Sequence, residues 1–235
     1  MMSDSLKHSS NLAPVWDIFC DFDGTITFFD VTDSLLERFA RPEWTAIEEE
    51  WAQGRIGSKK CLSRQVQLLD MSLAELDDHL NQIDVDPGFA AFLMAAQNRG
   101  FPITIVSDGL DYSIRSILDR HKIHGLPIFA NKLHQAGERK WRITFPHAGR
   151  NCDFASGHCK CATIGRMQPP ARRKVLLIGD GRSDFCAAEQ ANMVFAKGKL
   201  AEHCARKGLP HYAIEGFADA LPLLERFDPE TANTL

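Results

Sequence analysis

Four short segments hold the residues whose types and spacing can do chemistry: Asp21-Phe22-Asp23-Gly24-Thr25, Ser107-Asp108-Gly109, Lys160, and Gly179-Asp180-Gly181-Arg182-Ser183-Asp184. Carboxylates gathered in one place repel each other and repel a phosphate. A hard divalent cation relieves both, and Mg²⁺ takes one or two carboxylates plus phosphate and water oxygens. Asp21 and Asp180 are the candidate ligands, with the backbone carbonyl of Asp23 as a third. With that charge neutralised, Asp21 can attack phosphorus and form an aspartyl-phosphate. Asp23 lies two residues on, which in extended chain returns its side chain to the same side. There it can protonate a leaving alcohol and then activate water. Ser107 offers a hydroxyl to a phosphate oxygen, and Lys160 a positive charge that counts most as the equatorial oxygens gain charge. Backbone N–H groups at Asp108 and Gly109 are further phosphate donors, because glycine lets the chain come close. Asp184 is expected to position Lys160 or a metal-bound water, and Thr25 to support the first segment. Plainer readings exist for each: a loop acid, a turn-capping serine, a surface lysine, an acid favoured at a helix start.

These segments need elements that bring them together. Residues 15–22 (VWDIFCDF) form an apolar run ending in acids at an Asp-Gly turn signal, which predicts a buried strand opening into a loop. Residues 102–107 (PITIVS) and 174–179 (KVLLIG) predict two more strands, each ending at a candidate segment. Helices are predicted over 89–99, 111–121 and 183–191, a hairpin over 132–145 turning near Gly137, and short strands at 127–131, 193–196 and 211–214. Strands alternating with helices make this an α/β protein with a Rossmann-like parallel sheet. Ligands of such sheets bind beyond the carboxyl ends of the strands, where all four segments fall. Between the first two strands, Leu35, Leu36, Phe39, Ile47, Trp51, Leu62, Val66 and Leu69 recur at helical spacing, and Ser72 with Glu75 has the form of a capping box. That block is too long for a connection. We expect a core of residues 12–29 and 84–235 and an inserted helical cap over 30–83. Phe28, Phe29, Asp30 and Arg64 are the candidate substrate-pocket residues, with Trp44 and Trp51 expected in the cap's own core.

Bulk composition narrows the class. The chain has 235 residues, 44% hydrophobic and 25% charged, and a formal net charge of -4. That balance offers no basic stripe for nucleic acid. No apolar run approaches the roughly 20 residues of a spanning helix. Residues 1–14 lack a secretory apolar stretch and read as a frayed leader. The 7 cysteines are an odd, scattered set, so reduced thiols in a cytoplasm are expected. Cys152, Cys159 and Cys161, with His147 and His158 nearby, lack the C-x₂-C pairs of a zinc site and read as loop or buried thiols.

Taken in order, the four segments resemble the motifs of the haloacid dehalogenase superfamily: DxDGT at Asp21 to Thr25, a strand-terminal Ser at 107, a Lys at 160, and GDGxxD at Gly179 to Asp184. The resemblance spans nearly the whole chain. It implies a Mg²⁺-dependent phosphomonoesterase working through an aspartyl-phosphate on a small phosphate ester. Dehalogenases of that superfamily lack the second acid and its ion pumps carry Thr, so Asp23 points to a phosphatase or phosphomutase. The position of the inserted block is similar to the phosphoserine phosphatase-like branch. Within it, CDFDGTIT (Cys20 to Thr27), Pro42-Glu43-Trp44 and the Cys159-Lys160 segment resemble the methionine-salvage phosphatases of a keto-methylthio-pentenyl phosphate. Phosphoserine enzymes place a Glu and an Arg where this chain has Asp30 and Gln65, which leaves a carboxylate without a partner unless Arg64 substitutes. The rivals are a phosphocholine/phosphoethanolamine or phosphoserine phosphatase, a phosphotransferase with an acceptor other than water, and a catalytically silent binding module.

Overall fold

The computed structural model describes residues 15–149, 152, 155–167 and 173–227; the leader and residues 12–14, 150–151, 153–154, 168–172 and 228–235 of the expected core lie outside them. Seven strands form one sheet in the order β4-β3-β2-β1-β5-β6-β7. They are β1 (Val15–Cys20), β2 (Ile103–Leu110), β3 (Ile128–Gly137), β4 (Lys140–Thr144), β5 (Arg173–Gly179), β6 (Met193–Ala196) and β7 (His211–Ala213). Every neighbouring pair is parallel except the β3–β4 hairpin. A parallel strand is buried on both faces, which is why the central ones read as unbroken apolar runs.

Register brings the chemistry to one edge. Cys20 pairs with Ile105 on one side and Ile178 on the other, so Asp21, Ser107 and Asp180 all emerge just past that level. Along β1 the side chains alternate. Ile18 and Cys20 belong to one apolar layer with Phe89 and Phe92 of α5 (Phe89–Asn98), Ile114 and Ile117 of α6 (Asp111–Arg120) and Phe217 and Leu224 of α10 (Phe217–Glu225). Phe19 belongs to the other, with Ile164 of α7 (Lys160–Arg166), Ala187 of α8 (Phe185–Ala188) and Leu200 of α9 (Gly198–Lys207).

Between β1 and β2 the chain forms α1 (Val31–Phe39), α2 (Trp44–Ala52), α3 (Ser58–Gln65), a 3₁₀ turn (Val66–Leu68) and α4 (Leu73–Leu80). Asp30 caps α1 by accepting the Asp33 N–H at 3.0 Å, and Ser72 and Glu75 form a full capping box on α4. The block enters and leaves at one stem, where Thr27 bridges Val85 in antiparallel fashion and the Asp86 N–H donates to the Ile26 carbonyl at 2.8 Å. The β3–β4 hairpin braces it: Trp141 Nε1 donates to the Met71 carbonyl at 2.9 Å, and Arg139 pairs with Asp70 at 2.6 Å and Glu75 at 2.7 Å.

Two elements differ from expectation. β2 continues past Ser107 to Leu110, because the chain rejoins β3 at Leu110–Asn131 after an irregularity that contains Ser107-Asp108-Gly109. The helix expected over 183–191 is a 3₁₀ turn (Arg182–Asp184) followed by the four-residue α8. There Asp184 Oδ2 accepts the N–H groups of Asp180 and Gly181, both at 3.2 Å, which tightens the turn.

Candidate active site

Lys160 is the centre of the site. As the first residue of α7 it is fully buried, and its ammonium meets Asp21 Oδ2 at 2.5 Å, Asp184 Oδ1 at 2.7 Å and Ser183 Oγ at 3.0 Å. Burial alone would lower its pKa, but Asp184 and Asp21 outweigh that and raise it, so the group stays charged. Oxygens of Asp21, Asp180 and Asp184 lie within 4.8 Å of one another, the one metal-competent group among the described residues. Three carboxylates therefore share one ammonium. Burial pushes Asp21 well above the usual carboxylate range despite Lys160, with Asp184 and Asp180 adding repulsion. Burial, then Asp184, pushes Asp180 up to about 6. The excess negative charge and the hard oxygen donors fit a divalent cation. Asp184 is the poorest ligand of the three, since Lys160 holds one oxygen and two backbone N–H groups the other. Asp21 keeps Oδ1 against the Phe22 N–H at 2.7 Å, and Asp180 Oδ1 accepts the Thr25 hydroxyl at 3.0 Å.

Asp23 stands beside this group. Its Oδ1 accepts the Val31 N–H at 3.0 Å and its Oδ2 the Ser107 hydroxyl at 3.2 Å. Enclosure, then the charge of Asp30, pushes its carboxyl well above the ordinary range. Gly109 is needed for close approach: a Cβ there would lie 2.2 Å from Asp23 Oδ2 and 3.1 Å from Ser107 Oγ. Gly24 is needed twice over, at φ 68° and with a Cβ position 2.6 Å from Asp180 Oδ2.

Asp108 and Gly109, whose backbone N–H groups are expected phosphate donors, both line the cavity. The Asp108 carboxylate itself is occupied by the Ser58 hydroxyl, by Asn131 Nδ2 at 3.0 Å and by the His158 N–H at 2.7 Å. The Gly109 N–H, an expected phosphate donor, instead reaches Ser107 Oγ at 2.9 Å. Arg64 does not line the cavity; it turns outward to Glu50 at 2.7 Å, while its neighbour Gln65 faces in.

A cavity of about 660 Å³ opens over the carboxylates. Its helical-block wall carries Phe28, Phe29, Asp30, Asp33, Glu48 and Gln65, and Trp51 lines it rather than sitting in the core of the block. Asp33 rises to about 7 through burial and then the charges of Asp30, Glu48 and Glu37. The core wall adds Arg182, Lys197 and Lys199. Lys197, whose ammonium reaches the Thr25 carbonyl at 3.4 Å, escaped the sequence reading. Its signal was there: it follows β6, which pairs with Gly179 at its end. Cys159 and Cys161 flank Lys160 with sulfurs 3.3 Å apart, and among the described residues no two cysteines are joined in a disulfide. Arg173 pairs with Asp17 at 3.2 Å.

The haloacid dehalogenase-like hydrolase family pattern matches residues 18–189. A 2-hydroxy-3-keto-5-methylthiopentenyl-1-phosphate phosphatase of Brevibacillus brevis is 33% identical over 216 residues, covering 91% of this chain and 96% of its own. One of the same name from Geobacillus kaustophilus is 35% identical, covering 90% and 96%. A phospho-aspartyl intermediate analogue of phosphoserine phosphatase superposes with a TM-score of 0.69 at 19% identity, covering 89% of this chain and 99% of its own, a likeness of fold. Among the described residues no helix is long and apolar enough to cross a membrane.

Proposed function

Because the chain belongs to the haloacid dehalogenase-like hydrolase family and is a phosphoric monoester hydrolase, we propose that Asp21 is its nucleophile and Asp23 its general acid and base. The observation that carries this is the buried Lys160 held between Asp21 and Asp184, with Asp180 in reach and Asp23 hydrogen-bonded to Ser107. Asp21, Asp180 and the Asp23 carbonyl would hold Mg²⁺, which when bound supplies the positive charge that lets a carboxylate approach a phosphate dianion. Asp21 attacks phosphorus through the oxygen that faces the phosphoryl group, and Lys160 and the Ser107 hydroxyl steady the equatorial oxygens. Asp23, held protonated by its enclosure, gives its proton to the leaving oxygen. The carboxylate so formed then takes a proton from the water that splits the aspartyl-phosphate. Residues 30–83 act as a cap that excludes bulk water and bars macromolecules.

For the substrate we propose a small phosphorylated metabolite with an uncharged tail, of the keto-methylthio-pentenyl kind on which the two named relatives act. Phe28 and Phe29 offer an apolar surface to a thioether, and the block wall gives a tail carboxylate no cationic partner. That disfavours phosphoserine. The test is kcat/KM with Mg²⁺ across the keto-methylthio-pentenyl phosphate, phosphoserine, phosphocholine and phosphoethanolamine. A higher value for phosphoserine sinks the substrate assignment; phosphate release unaffected by Asp21→Asn sinks the mechanism.

A further inference from the structure

The carboxylate of Asp108 sits at the junction of three parts of the chain. Ser58, the first residue of α3, donates its hydroxyl to Asp108 Oδ2. Asn131 of β3 donates to the Asp108 carbonyl at 2.6 Å and to Oδ1 at 3.0 Å. The His158 N–H donates to Oδ1 at 2.7 Å. The same Ser58 oxygen accepts the Gly157 N–H at 3.2 Å, and the Lys59 N–H donates to the Ala155 carbonyl at 3.2 Å. Residues 155–158 are thus stitched to the helical block on one side and to Asp108 on the other. They lead directly into Lys160. The His158 ring fixes the join, with Nδ1 3.1 Å from the Ser107 carbonyl and Nε2 2.9 Å from Thr163 Oγ1 of α7.

Ala155 holds φ 45°, a left-handed conformation that a residue with a Cβ adopts only when its surroundings over-determine it. One of those surroundings is the Lys59 bond from the helical block. Removing the block's contact frees the segment to relax, and a shift at His158 propagates two residues on to Lys160.

We infer that Ser58 and Asp108 form a latch: Asp108 is a positioning residue that couples closure of the helical block to the placement of Lys160. This rests on the assignment of Lys160 to the phosphoryl group. The block then does more than cover the substrate. When it docks, its Ser58 completes the hydrogen-bond set that holds the ammonium against Asp21, so the site is fully assembled only when covered.

Ser58→Ala removes the latch at a half-buried position without disturbing the core. Backbone amide exchange is the first readout. Exchange at His158, which bonds Asp108 and not Ser58, rises about tenfold together with Gly157, the loss of one charge-assisted bond. Faster exchange at Gly157 alone overturns the latch. Kinetics with Mg²⁺ are the second. Ser58→Ala lowers kcat by about tenfold, equally for p-nitrophenyl phosphate and for a longer phosphate ester, with KM nearly unchanged. A rise in KM confined to the longer ester means the serine only touches substrate, and overturns the inference. Asp108→Asn gives the same pattern, and the double variant is no worse than Asp108→Asn, as for two groups acting through one bond; additive losses overturn it. Lys160→Met, run alongside, separates the two readings. Its inactivity with normal Ser58→Ala behaviour overturns the latch alone, and its full activity overturns the Lys160 assignment beneath it.

Discussion

Replacing Lys160 by Met tests the site where its charges are most tightly balanced. The ammonium is fully buried and serves two carboxylates and a hydroxyl. Breaking one buried ion pair by removing a partner costs about 3–5 kcal/mol, and with two acids affected the upper end is expected. Against a typical folding free energy of about 5–15 kcal/mol that is a third or more. Asp184 retains two backbone donors on its other oxygen; Asp21 retains the Phe22 N–H on Oδ1. Asp21 will therefore answer by holding a proton. With the Asp21 folded pKa above the unfolded 3.8, the stabilising protonated form persists at low pH and is lost as pH rises. The variant should therefore lose more stability than the wild type between pH 5 and pH 8. Mg²⁺ at about 100 times its Kd should return about 2.7 kcal/mol, since a dication answers the same excess charge. It should not return activity, because in the proposed mechanism the lost donor acts on the phosphoryl oxygens, a deficit of about 10²–10³ in kcat. Chemical denaturation with and without Mg²⁺, at both pH values, gives the first quantities, and steady-state kinetics under saturating Mg²⁺ the last. A variant as stable as the wild type without Mg²⁺, or one with wild-type kcat once folded, would refute the reasoning.

Asp23→Asn keeps the shape but neither donates a proton to a leaving group nor accepts one from water, so kcat should fall about 10²–10⁴-fold. The wild-type rate should fall as pH rises and Asp23, its carboxyl raised by its enclosure, loses its proton, a limb that a pH–rate profile reads directly. Gly109→Ala sets a methyl 2.2 Å from Asp23 Oδ2, so it should abolish turnover while costing about 1–3 kcal/mol of stability by overpacking; near-normal kcat in that variant contradicts the geometry. His158, buried and pushed down to about 3 by burial and then Lys160, stays neutral in the fold. The unfolded chain binds its proton below about 6.5, so stability should fall by up to about 1.4 kcal/mol per pH unit below that point. Acid titration of thermal stability should show that slope weakened in His158→Gln.

The parts of the site legible in the sequence are those set by local backbone. Asp21, Asp23 and Thr25 follow β1 directly, and Asp180 and Asp184 follow β5, so strand-end position and spacing were enough to place them. Residues whose meaning depends on distant partners were not legible. Asp108 reads only as backbone of a phosphate loop, because the partners of its carboxylate, Ser58, Asn131 and His158, lie from 23 to 50 residues away. Arg64 and Gln65 differ by about 100° around α3, and sequence alone left open which one faces in. The structure turns Gln65 inward, 2% exposed and donating to Glu48 at 2.8 Å, and sends Arg64 to Glu50. The short α8 likewise follows from a side-chain bond, Asp184 to its own turn, that no periodicity records.

The two walls of the cavity carry opposite charge, and that division decides what the enzyme can select. Arg182, Lys197 and Lys199 lie on the core side, where the proposed mechanism puts the phosphate, while Asp30, Asp33 and Glu48 line the opposite wall, where the tail would lie. A tail carboxylate about 8 Å from one of these acids meets about 2 kcal/mol of repulsion at an effective dielectric constant of about 20. Two such acids make a discrimination of about a thousandfold. Asp33, at about 7, is neutral below that pH and charged above it, so the penalty grows as pH rises through neutrality. 3-Phosphoglycerate and glycerol 1-phosphate share a skeleton and differ in a tail carboxylate against a hydroxymethyl group. Their kcat/KM ratio should fall between pH 6 and pH 8, and Asp33→Asn should flatten that dependence. A ratio independent of pH in the wild type would mean that the acids of the helical block do not face the bound tail.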